Sequence, residues 1–362
     1  MLTETVLNAA IPRGLLERFR KLPKIDLHRH REGSIRLVTL LELAAEIPGL
    51  PFRKDELPRL VTLQPEDAHT AEVFLSKFGA LRHFYVSREI IQRTTREVIE
   101  DAAADGVVYL ELRVAPAALT AAGAGTYAQV LDWVQQASHK AEEDTGILVQ
   151  LVALMNRHES LVEAARFIDL IVERKDDGYC GIDLAGDEMH YPGREFIPLF
   201  EKARKSGLGV SIHAGEWGPA ENIQAAMLEF QADRIGHGVR VLESPETVSL
   251  ALSRQIPFEV CLTSNVLSGV VQSLGSHPVK EMLKAGLQVT LNTDDPAIQQ
   301  STLSDELALA VSSCGLSSKQ VGECMLNAAR AAYLPEPAKA TLVRSLQEGW
   351  KDILLPDSAA GQ

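Results

Sequence analysis

The chain has no apolar run approaching the ~18 residues that a membrane span requires, so no such span is expected. It has no excess of positive charge either. Thirty-six Lys and Arg against 49 Asp and Glu give a net charge of -13, and no basic stripe is visible, which argues against a phosphate-backbone partner. Cysteine is scarce: Cys180, Cys261, Cys314 and Cys324 form no Cys-x-x-Cys pair. They read as free thiols in a reducing cytoplasm, not as a disulfide framework or a thiolate metal site. The N-terminal stretch is interrupted by Glu4, Arg13, Glu17, Arg18 and Arg20, so no secretory signal is expected there. There is no Walker phosphate loop, Gly-x-Ser-x-Gly elbow or Gly-x-Gly-x-x-Gly fingerprint. Also missing is a His-x-Glu paired with Pro-Cys-x-x-Cys, the zinc signature of one deaminase fold.

What the chain does have is an ordered alternation. Ile25-Asp26-Leu27-His28-Arg29-His30 fits a short strand after an amphipathic helix over 14–21, and residues two apart on a strand project together, so His28 and His30 share a side. The segment 36–105 is long and helical in pattern, with Leu37, Leu40, Leu41 and Ala44, and again Phe74 and Phe78, at helical spacing. Further strands are expected at 107–113, 147–155, 180–184, 210–213, 234–237, 258–262 and 289–292, with helical stretches such as 194–206, 219–231 and 245–254 between them. Eight β/α units predict a (β/α)8 TIM barrel, with extra helices inserted after the first strand, in a single domain over 1–362; the final ten or so residues are expected to be loose.

In such a barrel the chemistry sits at the C-terminal strand ends. Those ends carry His28 and His30, Gly186, His213 and Glu216, His237, and Asp294 with Asp295. Three imidazoles and a carboxylate with one open position suit a catalytic zinc, one per chain, and the expected ligands are His28, His30, His213 and Asp294. Zinc lowers the pKa of a bound water to about 7. His237 stands where it can orient or deprotonate that water, and Glu216 where it can donate or shuttle a proton. Each residue alone has a plainer reading. Asp295-Pro296 can be a helix start, Gly236 and Gly238 a turn, and Glu216 solvated surface. His69, His83, His139, His158, His190 and His277 are read as ordinary surface or core residues.

The ordered motifs His28-Arg29-His30, Gly181 through Glu188, His213-Ala214-Gly215-Glu216, Arg234 through Val239, Cys261 through Asn265 and Asn292 through Pro296 resemble the adenosine deaminase family of the amidohydrolase superfamily, over about residues 20–350. The resemblance implies hydrolytic attack on C6 of a 6-aminopurine nucleoside, of the adenosine-to-inosine type, with ammonia leaving. It also implies that Glu216 protonates purine N1, Asp295 binds N7 and the Gly186 backbone meets N3. Binuclear relatives carry a bridging lysine after the fourth strand, where this chain has Ala185-Gly186-Asp187-Glu188. The family's usual Leu-Asp-Gly after the second histidine is here Arg31-Glu32-Gly33. Glu32 is expected to meet a ribose hydroxyl. Arg31 either reads a carboxylate on a larger 5′ substituent, as in 6-amino-6-deoxyfutalosine, or turns outward and pairs locally. Adenine is a third substrate reading, and a purine-binding barrel without catalysis is disfavoured because Glu216 and His237 are present. The helical segment 36–105 is expected to cover the pocket mouth.

Overall fold

The computed structural model describes residues 2–4, 7 and 9–354; the C-terminal end expected to be loose lies largely outside them. Eight parallel strands run in sequence order: β1 (Lys24–His30), β2 (Val107–Val114), β3 (Leu148–Asn156), β4 (Tyr179–Ala185), β5 (Gly209–Ala214), β6 (Arg234–His237), β7 (Pro257–Val260) and β8 (Gln288–Leu291). The seam between β8 and β1 is closed by a parallel bridge between Arg29 and Asp294. There the His30 N–H donates to Asp294 O at 2.8 Å and the Asp294 N–H to His28 O at 2.7 Å. Helices cover the outside of this barrel, the (β/α)8 architecture that the alternation predicts.

One strand boundary differs from the sequence reading: β7 ends at Val260, because Leu262–Leu267 already forms a helix behind it. The segment 36–105 supplies the extra helices expected after the first strand: α1 (Leu37–Glu46), α2 (Leu57–Val61), α3 (Ala71–Leu81) and α4 (Arg88–Ala104). Pro48, Pro51 and Pro65 stand in the breaks, since a mid-helix proline removes a donor and clashes with the preceding turn, while Pro58 sits in the first turn of α2, where its missing N–H costs no helical bond. The Thr70 and Ser87 hydroxyls restart the helix by accepting from the Val73 and Ile90 N–H groups. A short antiparallel ribbon, Leu2–Glu4 with Ala10–Pro12, precedes the barrel and was not anticipated.

The barrel interior is partly ionic. Arg113 donates to Asp183 at 2.6 Å and to Glu259 at 2.5 Å, with all three side chains fully buried. Arg234 pairs with Glu111 and, at 2.6 Å, with Glu259, while the Tyr333 ring stacks on its guanidinium. Removing one member of such a network strands an opposite charge in a low-dielectric interior. Arg113→Met, which leaves Asp183 and Glu259 short of a cation, is expected to lower the unfolding free energy by about 3–5 kcal/mol. The urea midpoint reads this directly, and an unchanged midpoint contradicts the network's role.

Candidate active site

The strand ends converge as the alternation predicts. His28 Nε2 and His30 Nε2 lie 3.3 Å apart, and each faces Oδ1 of Asp294, at 3.4 and 3.1 Å. The His213 ring centroid is 4.6 Å from that of His28 and 5.1 Å from that of His237. The seam explains Asp294: its backbone bonds to His28 and His30, so its carboxylate has to sit between their rings. Both Asp294 and His237 hold left-handed backbone, at φ 68° and 58°, a strained conformation for a side-chain-bearing residue.

The far nitrogens of two rings are tied down. His28 Nδ1 lies 2.9 Å from Glu259, and His213 Nδ1 lies 3.1 Å from Asp183. These buried carboxylates turn each Nε2 lone pair toward the cluster, as the outer partners of metal-bound histidines do. For Glu259, burial opposes ionisation, but Arg113 and Arg234 outweigh it and the carboxyl falls below its usual range. Burial lowers His30 to about 4 and holds His213 below the ordinary imidazole range, so both rings are neutral near pH 7. For His28, burial and Arg113 act downward, but the contacts with Asp294 and Glu259 outweigh them and raise the ring above the ordinary imidazole range. The lone pairs of His30 and His213 and the Asp294 carboxylate, facing one point, suit a cation, which would compete there with the His28 proton. His28, His213 and His237 offer donor atoms within 4.8 Å of one another, as do His28, Cys261 and Asp294. Cys261 suits a metal poorly, because burial and then Asp294 push its thiol well above the usual range and keep it protonated.

Two carboxyls flank this cluster. Burial, then Asp294 and Glu188, raise Glu216 well above its ordinary value. Burial, then Asp294, Glu32 and Glu216, do the same for Asp295. Both are therefore biased toward the protonated form, in which a carboxyl donates. Asp295 begins the short helix Pro296–Gln299, yet its side chain makes no cap there, and its buried Oδ1 has no hydrogen-bond partner. Gly33 makes room for it: a Cβ at that position would fall 1.7 Å from Asp295 Oδ1. Glu216 sits on a loop clamped by Glu188, which accepts the N–H groups of Gly215, Glu216 and Gly218 at 3.0, 2.7 and 2.7 Å. Of Glu216's own carboxyl, Oε2 lies 3.6 Å from His237 Nε2.

A cavity of about 240 Å³ opens over these groups, walled by Glu32, Gly186 and Asp295 and capped on one side by α3 and the turn after it through Phe74, Phe78 and Tyr85. Of the segment 36–105, only this part reaches the mouth. Phe74 is at once core and wall, 6.5 Å from Phe78. The structure does not bring Arg31 to the cavity. Its side chain is fully buried, donating to the Thr95 and Thr94 hydroxyls at 2.7 and 2.6 Å and to Ile91 O at 3.0 Å, with Glu32 only at 3.9 Å. It pins α4 to the end of β1, so the expectation that it reads a substrate carboxylate is corrected. The cation at the wall is instead Arg82. Sequence reasoning also missed the ring-holding Asp183 and Glu259, the loop clamp Glu188, and His158 at the cavity wall. Inward alternation on β4 and β7 carried a signal for Asp183 and Glu259. For Glu188 and His158 spacing carried none.

A closed barrel with this cluster at its strand ends is an amidohydrolase-fold deaminase, a metal-dependent class. The sequence model of the adenosine deaminase family matches residues 23–349, and the chain belongs to that family, whose members hydrolytically deaminate adenine-type substrates. An adenosine deaminase of Klebsiella pneumoniae (strain 342) is 35% identical over 336 residues, 91% of this chain and 98% of that one. An amidohydrolase of Burkholderia ambifaria, solved with bound Zn, superposes with a TM-score of 0.86 at 25% identity, covering 96% of this chain and 97% of that one. Arabidopsis ADAL complexed with GMP superposes at 0.81 with 30% identity, covering 92% and 98%. Among the described residues, no helix is long and apolar enough to cross a membrane.

Asp183→Asn replaces the carboxylate holding His213 and is expected to weaken metal affinity by roughly 10–100-fold. Competition with a chelator measures it, and unaltered affinity would mean that His213 is no ligand.

Proposed function

We propose that the chain is a zinc-dependent purine nucleoside deaminase that converts a 6-amino to a 6-oxo group, as in adenosine to inosine. The observation that carries this reading is the pair Glu216 and Asp295, two buried carboxyls beside the imidazole cluster, the second with an unpartnered oxygen, whose surroundings raise both well above the ordinary carboxyl range. A 6-aminopurine presents two lone pairs to such donors, N1 and N7. One zinc ion, held by His28, His30, His213 and Asp294, supplies a water acidified to near-neutral pKa.

The chain's own residues do the rest. Asp295 donates to N7 and fixes the base in the plane of the site. Glu216 gives its proton to N1 as the oxygen of water bonds to C6. Of the two protons of that water, one returns to the Glu216 carboxylate and the other passes to the leaving nitrogen; the C6–N6 bond breaks, ammonia departs and C6 keeps the oxygen as a carbonyl. Gly186, at φ 91° and without a Cβ, lets the backbone meet the N3 edge, and Glu32 faces the sugar. Glu216→Gln keeps the shape but not the acid. It is expected to retain zinc while kcat for ammonia release falls by ~10² or more. Near-normal kcat in a zinc-replete Gln variant would mean that the N1 proton comes from another group.

One observation favours a substrate larger than adenosine. Arg82 is the sole Lys or Arg along the cavity wall; it acts at a distance on Glu32 and Glu159 but makes no hydrogen bond or close ion pair among the described residues. An anionic substituent on the 5′ side, such as the carboxylate of 6-amino-6-deoxyfutalosine or a nucleotide phosphate, gives it a partner. Arg82→Leu is then expected to lower kcat/KM for a 5′-extended, carboxylate-bearing nucleoside by ~10-fold or more, a charge-assisted bond being worth about 1.5–3 kcal/mol, with adenosine much less affected. Equal losses for both substrates, or none for either, leave adenosine as the assignment.

A further inference from the structure

His237 does not stand alone behind the cavity. Its Nδ1 lies 3.1 Å from Nδ2 of Asn265, and Oδ1 of Asn265 lies 3.3 Å from Nε2 of His277. His277 Nδ1 in turn lies 3.1 Å from the backbone N of Val279. All three side chains are buried: His237 and Asn265 are 1% and 0% exposed, and His277 is 5% exposed. Asn265 sits on the helix Leu262–Leu267 that follows β7, and His277 on the turn leading into the helix Val279–Lys284.

The direction of every bond in this chain follows from its far end. A backbone N–H can only donate, so the Val279 N–H meets a lone pair on His277 Nδ1. A neutral imidazole then carries its proton on Nε2. Burial holds His277 down to about 3, so the ring stays neutral at physiological pH. His277 Nε2–H donates to Asn265 Oδ1, and this orients the amide. Reversing the amide would set its NH2 against an N–H of His277, donor facing donor. The Asn265 NH2 therefore donates to Nδ1 of His237, and the remaining nitrogen, Nε2, has to carry the His237 proton. That nitrogen faces the cavity and Glu216.

We propose that Asn265 and His277 are positioning residues that lock His237 in its Nε2–H tautomer, so that His237 offers the attacking oxygen a hydrogen-bond donor and not a base. Its Nδ1 lone pair is taken by Asn265, and its Nε2 has no lone pair with which to accept a proton. This role rests on the deaminase reading, but the tautomer itself does not, because it follows from the contacts behind the ring.

The test is 15N–1H correlation of histidine-labelled holoenzyme, in which protonated and unprotonated ring nitrogens resonate far apart. For wild type, His237 and His277 are both expected as Nε2–H tautomers. Asn265→Asp replaces the NH2 donor with a carboxylate, which demands an N–H from Nδ1. His237 is expected to switch to the Nδ1–H form, with zinc retained and kcat lowered on the order of 10²-fold, the scale of a misplaced proton at a catalytic group. His277→Leu frees the amide and is expected to give a mixture of tautomers. His277→Gln, which can still accept from Val279 and donate to Asn265, is expected to restore the wild-type tautomer and most of the lost kcat. A wild-type His237 protonated on Nδ1 overturns the proposal, as does a switched tautomer in Asn265→Asp with kcat unchanged. If wild type shows the Nε2–H form yet deaminates no 6-aminopurine, the function reading falls and the relay stands.

Discussion

The site depends on how the barrel closes. An eight-stranded parallel sheet has to join its last strand to its first, and here the join is made at the level of the chemistry. The backbone of Asp294 accepts from His30 and donates to His28, so one residue completes both the cylinder and the side-chain cluster. This requires left-handed backbone at Asp294, which the two bonds hold in place. The next residue, Asp295, is thereby delivered beside Gly33 at the cavity wall. The geometry of the two imidazoles, Asp294 and Asp295 is therefore a property of the closed barrel, while the loop that carries Glu216 is held by Glu188.

Beneath the seam, the barrel is filled with charge where an apolar core would be easier to stabilise. Arg113 and Arg234 anchor Glu259 and Asp183, and those carboxylates orient the rings of His28 and His213. The interior is thus a set of nested orienting bonds that turn two lone pairs toward one point. One layer above, burial opposes ionisation at all three carboxyls. At Asp294 the hydrogen bonds to His28 and His30 outweigh it and hold the carboxyl well below its usual range, whereas at Glu216 and Asp295 neighbouring carboxyls add to burial and raise both. Carboxyls of one site are thus pushed toward different proton states, which suits a reaction needing both.

Much of this was legible in the sequence, for identifiable reasons. Period-two alternation put His28 and His30 on one side, and regular β/α spacing placed His213, His237 and Asp294 at the ends of β5, β6 and β8. What was not legible depended on packing between distant segments. Arg31 follows His30 directly, but its side chain turns away because α4 presents Thr94 and Thr95, more than sixty residues on. The residue that does reach the wall, Arg82, lies in a turn whose position depends on how four short helices fold back. His277 looked ordinary since its importance lies in a bond to Asn265, whose own partner is on another strand. Local pattern identifies what points inward; long-range contacts decide what it meets.

The central claim is that the seam creates a metal centre. Its most direct measurement is a crystal structure of the purified protein with anomalous scattering recorded at the zinc edge. One peak per chain is expected, with Nε2 of His28, His30 and His213 each at about 2.0–2.1 Å and an oxygen of Asp294 completing the set. Absence of any metal in active protein, or a peak seated on Cys261 and away from His30 and His213, would contradict it.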